Sequence, residues 1–400
     1  MLKGIKLLKS YPMLAAFTAF MLVVFVADMF ATGKQYSELE NRSLKQRPNF
    51  SWASLAKNEY TRKYEEFIND QFVARDSWIS LKSVGETALG KVENNGVAYG
   101  KHGFLFGKNT AVNTPRLEKN IGFVNQFLAG YNGHMTLGII PNSYEKLPGY
   151  LPLGLAKIQV QQQPLVEDIY AQVKGNDLST LEISGLLDID EADPAQALDT
   201  YYRTDHHWTT DSAYQTYAAY CASRGLKAVS LEELAPLRHS EPGFYGTYFS
   251  KAKKLGTPPD TLVWYDIPVT SVTVNGNDYV TDDKNNKIPL EGLFQKEKLA
   301  TRDKYAMFLY GNNGLTVIKS DNNRNKTPGK TSRLLMVKDS YSNCLVPFLT
   351  YSYDELYVID LRGLGESFGK LAKSVDFDDL LLLYNYESFE GDMNLIRMTL

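Results

Sequence analysis

The sequence predicts an α/β fold built on a parallel sheet, carried behind a membrane-spanning N-terminal helix. Three observations predict it. Residues 334–337 are a continuous apolar run, and 355–359 and 380–384 read as two further strands, with helical segments between them, the rhythm of a parallel sheet. Residues 135–140 (Met-Thr-Leu-Gly-Ile-Ile) read as another buried strand, ending at Pro141-Asn142. Residues 10–27 are uncharged and follow Lys3, Lys6 and Lys9. With its flanks this stretch is long enough to cross a bilayer, and the preceding lysines place the N-terminus inside. No clean A-x-A cleavage site follows, so a retained anchor is favoured over a removed signal peptide.

The remaining elements follow in order. Residues 32–50 are polar and read as a stalk. Residues 55–89 form a helical stretch in which Tyr60, Tyr64, Phe67, Ile68 and Phe72 make one apolar stripe. Residues 97–106 resemble a hairpin around Gly100 and Gly103. Helical patterns run near 117–128 and 165–173, and residues 181–187 suggest a strand. A helix over 211–223 has Thr209 or Thr210 as N-cap and Gly225 just beyond it. Residues 242–330, rich in Gly, Asn, Asp and Thr, read as a β-rich insertion. The chain thus divides into a cytoplasmic tip and anchor (1–31), a stalk with helical lead-in (32–95), and an α/β domain that holds the insertion (96–400).

The 400 residues leave room for one large domain or two smaller ones. A net charge of -3 lacks the basic excess of a nucleic-acid binder. The 26 Tyr and 19 Phe are first expected in cores and strands, although an aromatic surface would also suit sugar ligands. Cys221 and Cys344 are the only cysteines, either one disulfide or two buried thiols, and no Cys/His cluster has metal-ligand spacing.

Two blocks carry chemistry. Lys338-Asp339-Ser340-Tyr341-Ser342 sits where a buried strand gives way to a helix, the edge at which open parallel sheets bind ligands. A serine there lies near backbone N–H groups, although a serine at a helix start is more often only a cap. Thr204-Asp205-His206-His207-Trp208 holds two of the five histidines. In an extended segment Asp205 and His207 would share one side, with His206 turned away. The carboxylate could then fix the imidazole tautomer and stabilise the imidazolium. Structural histidines, capping by Asp205 and metal ligation compete with this reading, but His102, His134 and His239 show no ligand spacing. Together the blocks supply a nucleophile, a base and an orienting acid. Arg362, Trp208 and Asn142 are candidates to contact substrate.

The pair of blocks resembles the DHHW proteins, which look like relatives of the SGNH-hydrolase-like alginate O-acetyltransferases. Glu38-Leu39-Glu40-Asn41-Arg42, Gly100-Lys101-His102-Gly103-Phe104-Leu105-Phe106, Phe244-Tyr245-Gly246-Thr247-Tyr248 and Ile359-Asp360-Leu361-Arg362 also fit. The resemblance implies an SGNH-hydrolase-like parallel sheet with flanking helices in permuted order. It implies Ser340 as nucleophile, His207 as base and Asp205 as orienting group, with no cofactor. It further implies acetyl transfer to an exported polysaccharide, with the acyl donor supplied by a multi-pass membrane acyltransferase. An esterase with the same triad, or a non-catalytic polysaccharide-assembly scaffold, are the alternatives. Lys338 stands where the hydrolases carry Gly, and no GxND block is evident, so the oxyanion hole is unassigned.

Overall fold

A computed structural model describes residues 11–30, 33–37, 42–282 and 285–400. Lys3, Lys6 and Lys9 lie outside these residues, as do Glu38, Leu39, Glu40 and Asn41. The chain forms two compact units: residues 1–91 with 253–255, and residues 92–252 with 256–400.

In the first unit, α1 (Pro12–Met29) is one helix long and apolar enough to cross a membrane, with mean hydropathy 2.0 and no buried residue. Asp28 Oδ1 accepts the Val73 N–H at 2.9 Å, and Phe20 meets Trp78 edge-on at 6.2 Å. The helical stretch expected over 55–89 is broken. Trp52–Ala56 is a short helix, followed by α2 (Glu59–Gln71) and α3 (Arg75–Ala88). Asn58 and Ala74 interrupt it with left-handed φ of 60° and 53°. No i→i−4 ladder continues through such a residue. The aromatic stripe survives within α2, where Tyr60 stacks on Tyr64 and Tyr64 meets Phe67.

The second unit is a mixed sheet of seven strands between helices. In chain order they are β1 (His134–Ile140), β2 (Leu178–Leu181), β3 (Ser271–Val274), β4 (Leu315–Lys319), β5 (Arg333–Lys338), β6 (Glu355–Ile359) and β7 (Asp379–Asn385). Their spatial order is β3-β4-β6-β5-β7-β1-β2. The five strands from β6 to β2 are parallel, while β4 runs antiparallel to β6 and β3 antiparallel to β4. Successive residues of β5 enter opposite cores. Leu334 and Met336 pack with Tyr217, Phe348 and Leu381, whereas Leu335 and Val337 pack with Val124, Ile169 and Phe368. Burial on both faces explains why these strands read as continuous apolar runs. Each large apolar side chain so buried contributes about 1.5–3 kcal/mol.

The second core is closed by α4 (Thr114–Leu128), α5 (Gln162–Gln172) and a later helix, Phe368–Ser374. The first is covered by α6 (Thr210–Ser223), capped by Thr209 Oγ1, with Gly225 at φ 66° beyond its end. Two expectations change here. The strand expected over 181–187 is β2 followed by a 3₁₀ turn, Ser184–Leu187. The segment 242–330 is not wholly a separate β lobe. Its strands β3 and β4 extend the main sheet, while Asp260–Tyr265 pairs with Arg238–Phe244 outside it. The β-type runs were legible, but no local pattern says which strand edge they join. Cys221 and Cys344 are both buried and free.

Candidate active site

The carboxyl ends of four adjacent strands hold the polar residues of the site. Asp360 and Arg362 follow β6, Asp339 and Ser340 follow β5, Asn385 ends β7, and Asn142 follows β1. Ser340 opens a 3₁₀ helix, Ser340–Cys344. Asp339 locks that turn: its Oδ1 accepts the Tyr341 N–H and its Oδ2 accepts the Asn385 N–H, each at 3.0 Å. A single carboxylate therefore ties the serine turn to the end of the neighbouring strand.

Asp205 and His207 arrive on a bent loop closed by a bridge between Tyr201 and Trp208. The loop is anchored by Asp260, whose carboxylate accepts the backbone N–H groups of Arg203 (3.0 Å) and Thr204 (2.8 Å) and the Thr204 hydroxyl. The pairing of Asp205 with His207 comes from this bend, not from strand alternation. Asp205 Oδ1 accepts both the His207 backbone N–H, at 3.0 Å, and the Nδ1–H of its ring. His206 accordingly does not turn away; the two imidazoles lie side by side with centroids 3.8 Å apart.

With its proton on Nδ1, His207 presents Nε2 as an acceptor to the Ser340 hydroxyl at 2.9 Å. The structure thus brings Asp205, His207 and Ser340 into one hydrogen-bonded line. Asp205 and His207 are buried, and only Ser340 is partly open to solvent. The other carboxylate oxygen, Asp205 Oδ2, accepts the Thr247 N–H at 2.6 Å. Burial opposes ionisation of Asp205, yet the two imidazoles and the Thr247 N–H hold its carboxyl well below the usual range. Gly246 stands beside it because any Cβ there would lie 2.1 Å from Oδ2. The Tyr305 ring stacks on His207 at 3.9 Å, and its hydroxyl donates to Ser340 O at 2.9 Å. A positioned acid–base pair on a serine hydroxyl is the arrangement that makes that hydroxyl nucleophilic.

Residues 194–359, which contain both blocks, match the model of the DHHW protein family. No curated protein matches the chain in sequence. Among solved structures, it is similar to a DHHW family protein from Eubacterium siraeum DSM 15702, at 22% identity and TM-score 0.59, covering 77% of this chain and 96% of that one. It is also similar to Bacillus cereus PatB1 with a sulfonyl adduct, at 18% identity and TM-score 0.59, over 76% and 98% of the two chains. A second PatB1 structure gives 20% identity and TM-score 0.57, over 73% and 96%. At these identities the likeness is one of fold.

Within the DHHW block, Trp208 is fully buried and its indole N–H donates to Tyr341 O at 2.7 Å. Asn142 is equally enclosed. Its Nδ2 donates to the Tyr341 hydroxyl at 3.3 Å, and its Oδ1 accepts from Gln162 and Asn385 at 2.8 and 3.1 Å. From these buried positions both side chains brace the serine turn. Arg362 is half exposed, but its guanidinium grips Asp360 through Nε at 2.8 Å and Nη2 at 2.5 Å. It reaches the rim of the site already paired.

Sequence reasoning missed Tyr305, Asp260 and Gly246 as parts of the site. Gly246 lay within a block recognised by resemblance, whereas nothing local marks Tyr305 or Asp260. Among the described residues, Asp205, His206 and His207 form one group whose ligand atoms lie within 4.8 Å of one another and could hold a metal ion.

Proposed function

We propose that this chain is a membrane-anchored serine O-acyltransferase, acting outside the cytoplasm and passing an acyl group, such as acetyl, to a hydroxyl of an exported or cell-surface polysaccharide. The observation that carries the reading is the line from Asp205 through His207 to the partly open end at Ser340. Ser340 Oγ attacks the donor carbonyl while His207 Nε2 takes its proton. The tetrahedral intermediate collapses, and the leaving group departs with that proton. An acceptor hydroxyl then attacks the acyl-serine, its proton passing to His207 and on to Ser340 Oγ. Asp205 stabilises the imidazolium in both halves.

The fold shared with PatB1, whose solved form carries a sulfonyl adduct, supports a nucleophile of this kind. The helix α1 supports the membrane placement, with the acyl donor delivered by a multi-pass acyltransferase in the same membrane. In this reading the sheet is SGNH-like with the Asp-x-His block ahead of the nucleophile.

The test uses the full chain in detergent with 4-nitrophenyl acetate, alone and with an acetyl-free oligosaccharide acceptor. Mass spectrometry is expected to find an acetyl group on Ser340 that Ser340→Ala lacks, and acetylated oligosaccharide as product. Equal release of nitrophenolate by wild type, Ser340→Ala and His207→Ala, with no adduct, would remove the proposal. Release of free acetate with no acetylated acceptor would favour an esterase.

A further inference from the structure

The lysine that replaces glycine ahead of the nucleophile has a structural role that identifies an oxyanion donor. Lys338 ends β5, 2% exposed, in a strand whose other central residues are Leu334, Leu335, Met336 and Val337. Burying an ammonium is costly unless it is paired and hydrogen-bonded. Burial pushes the Lys338 amine down to about 8, against the pull of Asp360 and Asp339. Its Nζ donates to Asn343 Oδ1 at 2.5 Å. An ammonium has only donors, so this contact fixes which end of the amide is which. Asn343 Oδ1 faces the lysine, and Nδ2 faces the other way.

Asn343 is itself 3% exposed, and one Nδ2 N–H donates to Asn312 Oδ1 at 3.0 Å. An amide nitrogen carries a second. Asn312 is exposed and follows Leu309, Tyr310 and Gly311, three consecutive residues at φ 54°, 58° and 91°. Such strain is held only where the surroundings over-determine it. The line from Lys338 through Asn343 to Asn312 therefore runs from the core to the surface beside the nucleophile. Ser340 and Asn343 are three apart in a 3₁₀ helix, so they project along the same face. Helical side chains lean toward the N-terminus, which carries the Asn343 amide toward Ser340. One rival donor, the Tyr341 N–H, is already engaged by Asp339.

We propose that Asn343 Nδ2–H stabilises the oxyanion formed when Ser340 attacks an acyl carbonyl, and that Lys338 is the positioning residue that aims it. This rests on Ser340 being the nucleophile. As the Oγ–C bond forms, the Ser340 proton moves to His207 and the carbonyl π pair moves onto oxygen. Asn343 donates to that oxygen until the C=O bond reforms and the leaving group departs with the proton from His207.

The experiment measures kcat and KM for 4-nitrophenyl acetate on the full chain, with mass spectrometry for acetyl-Ser340. Asn343→Ala is expected to lower kcat by about 10²–10³-fold with little change in KM. Asn343→Asp keeps the size and the contact to Lys338 but cannot donate, and is expected to lose as much; it guards against a cavity effect. Lys338→Met is expected to lower kcat less, again at constant KM. If Lys338 acts through Asn343, the double variant Lys338→Met/Asn343→Ala falls no further than Asn343→Ala alone, within about twofold. Folded Asn343→Ala and Asn343→Asp proteins with wild-type kcat would overturn the proposal. Full additivity would overturn the role of Lys338. A wild-type chain that never acylates Ser340 would instead bring down the nucleophile itself, a failure seen before any variant is compared.

Discussion

Asp205 uses each carboxylate oxygen for a different purpose. Oδ1 holds the backbone and ring of His207, while Oδ2 is held by the Thr247 N–H. Asp205→Asn keeps the shape but presents an N–H donor to either side. The expected outcome is a fall of about 10⁴-fold in kcat for 4-nitrophenyl acetate, the size that loss of the tautomer-fixing acid carries elsewhere, with the fold intact by circular dichroism. Gly246→Ala sets a methyl against the same carboxylate. It should destabilise by about 1–3 kcal/mol in urea unfolding and lower kcat together with it. His206 supplies a pH prediction. Burial and the neighbouring His207 charge push it from 6.5 down to about 3. Its folded pKa is depressed, so between about pH 6.5 and 3 the unfolded chain binds a proton that the folded chain refuses. Stability should therefore rise with pH across that window. His206→Asn should flatten the slope of unfolding free energy against pH there, and an unchanged slope would contradict it.

At the scale of elements, the sequence was informative wherever one chain segment determined its own environment. Residues of β5, β6 and β7 are buried on both faces, so their apolar runs announced strands without any alternation. The cap of α6 at Thr209 was likewise a local matter. The Asp205–His207 pair was found for an incomplete reason: adjacency in sequence sufficed, but the geometry is a bend held by Asp260, 55 residues away. That contact has no local signature. The same holds for Tyr305, and for the joining of β3 and β4 to the sheet. The sequence positions of Trp208 and Asn142 say nothing about burial, and both lie buried against the turn they support. The loop's dependence on Asp260 is testable. Asp260→Ala leaves three donors on Arg203 and Thr204 without their acceptor, and should cost about 1–3 kcal/mol of stability. It should also lower kcat at temperatures where the chain remains folded, because the imidazole loses its fixed distance to Ser340.

On the scale of the whole molecule, the proposed placement of Ser340 outside the cytoplasm rests on charge and hydropathy, not on the site. The helix α1 has no buried residue, as a lipid-facing segment should. Lys3, Lys6 and Lys9 precede it, and the proposed reading puts the residues after it on the outer side. An exported polysaccharide is available only on that side, so the proposed reaction requires the proposed topology. Both native thiols are buried, which permits a clean test with an introduced cysteine. Leu153 is fully exposed, and Leu153→Cys should tolerate labelling without disturbing the core. In intact cells a membrane-impermeant maleimide should modify Leu153→Cys and leave the wild type unlabelled. Labelling that appears only after lysis would put the triad on the cytoplasmic side, where an exported polymer could not reach Ser340.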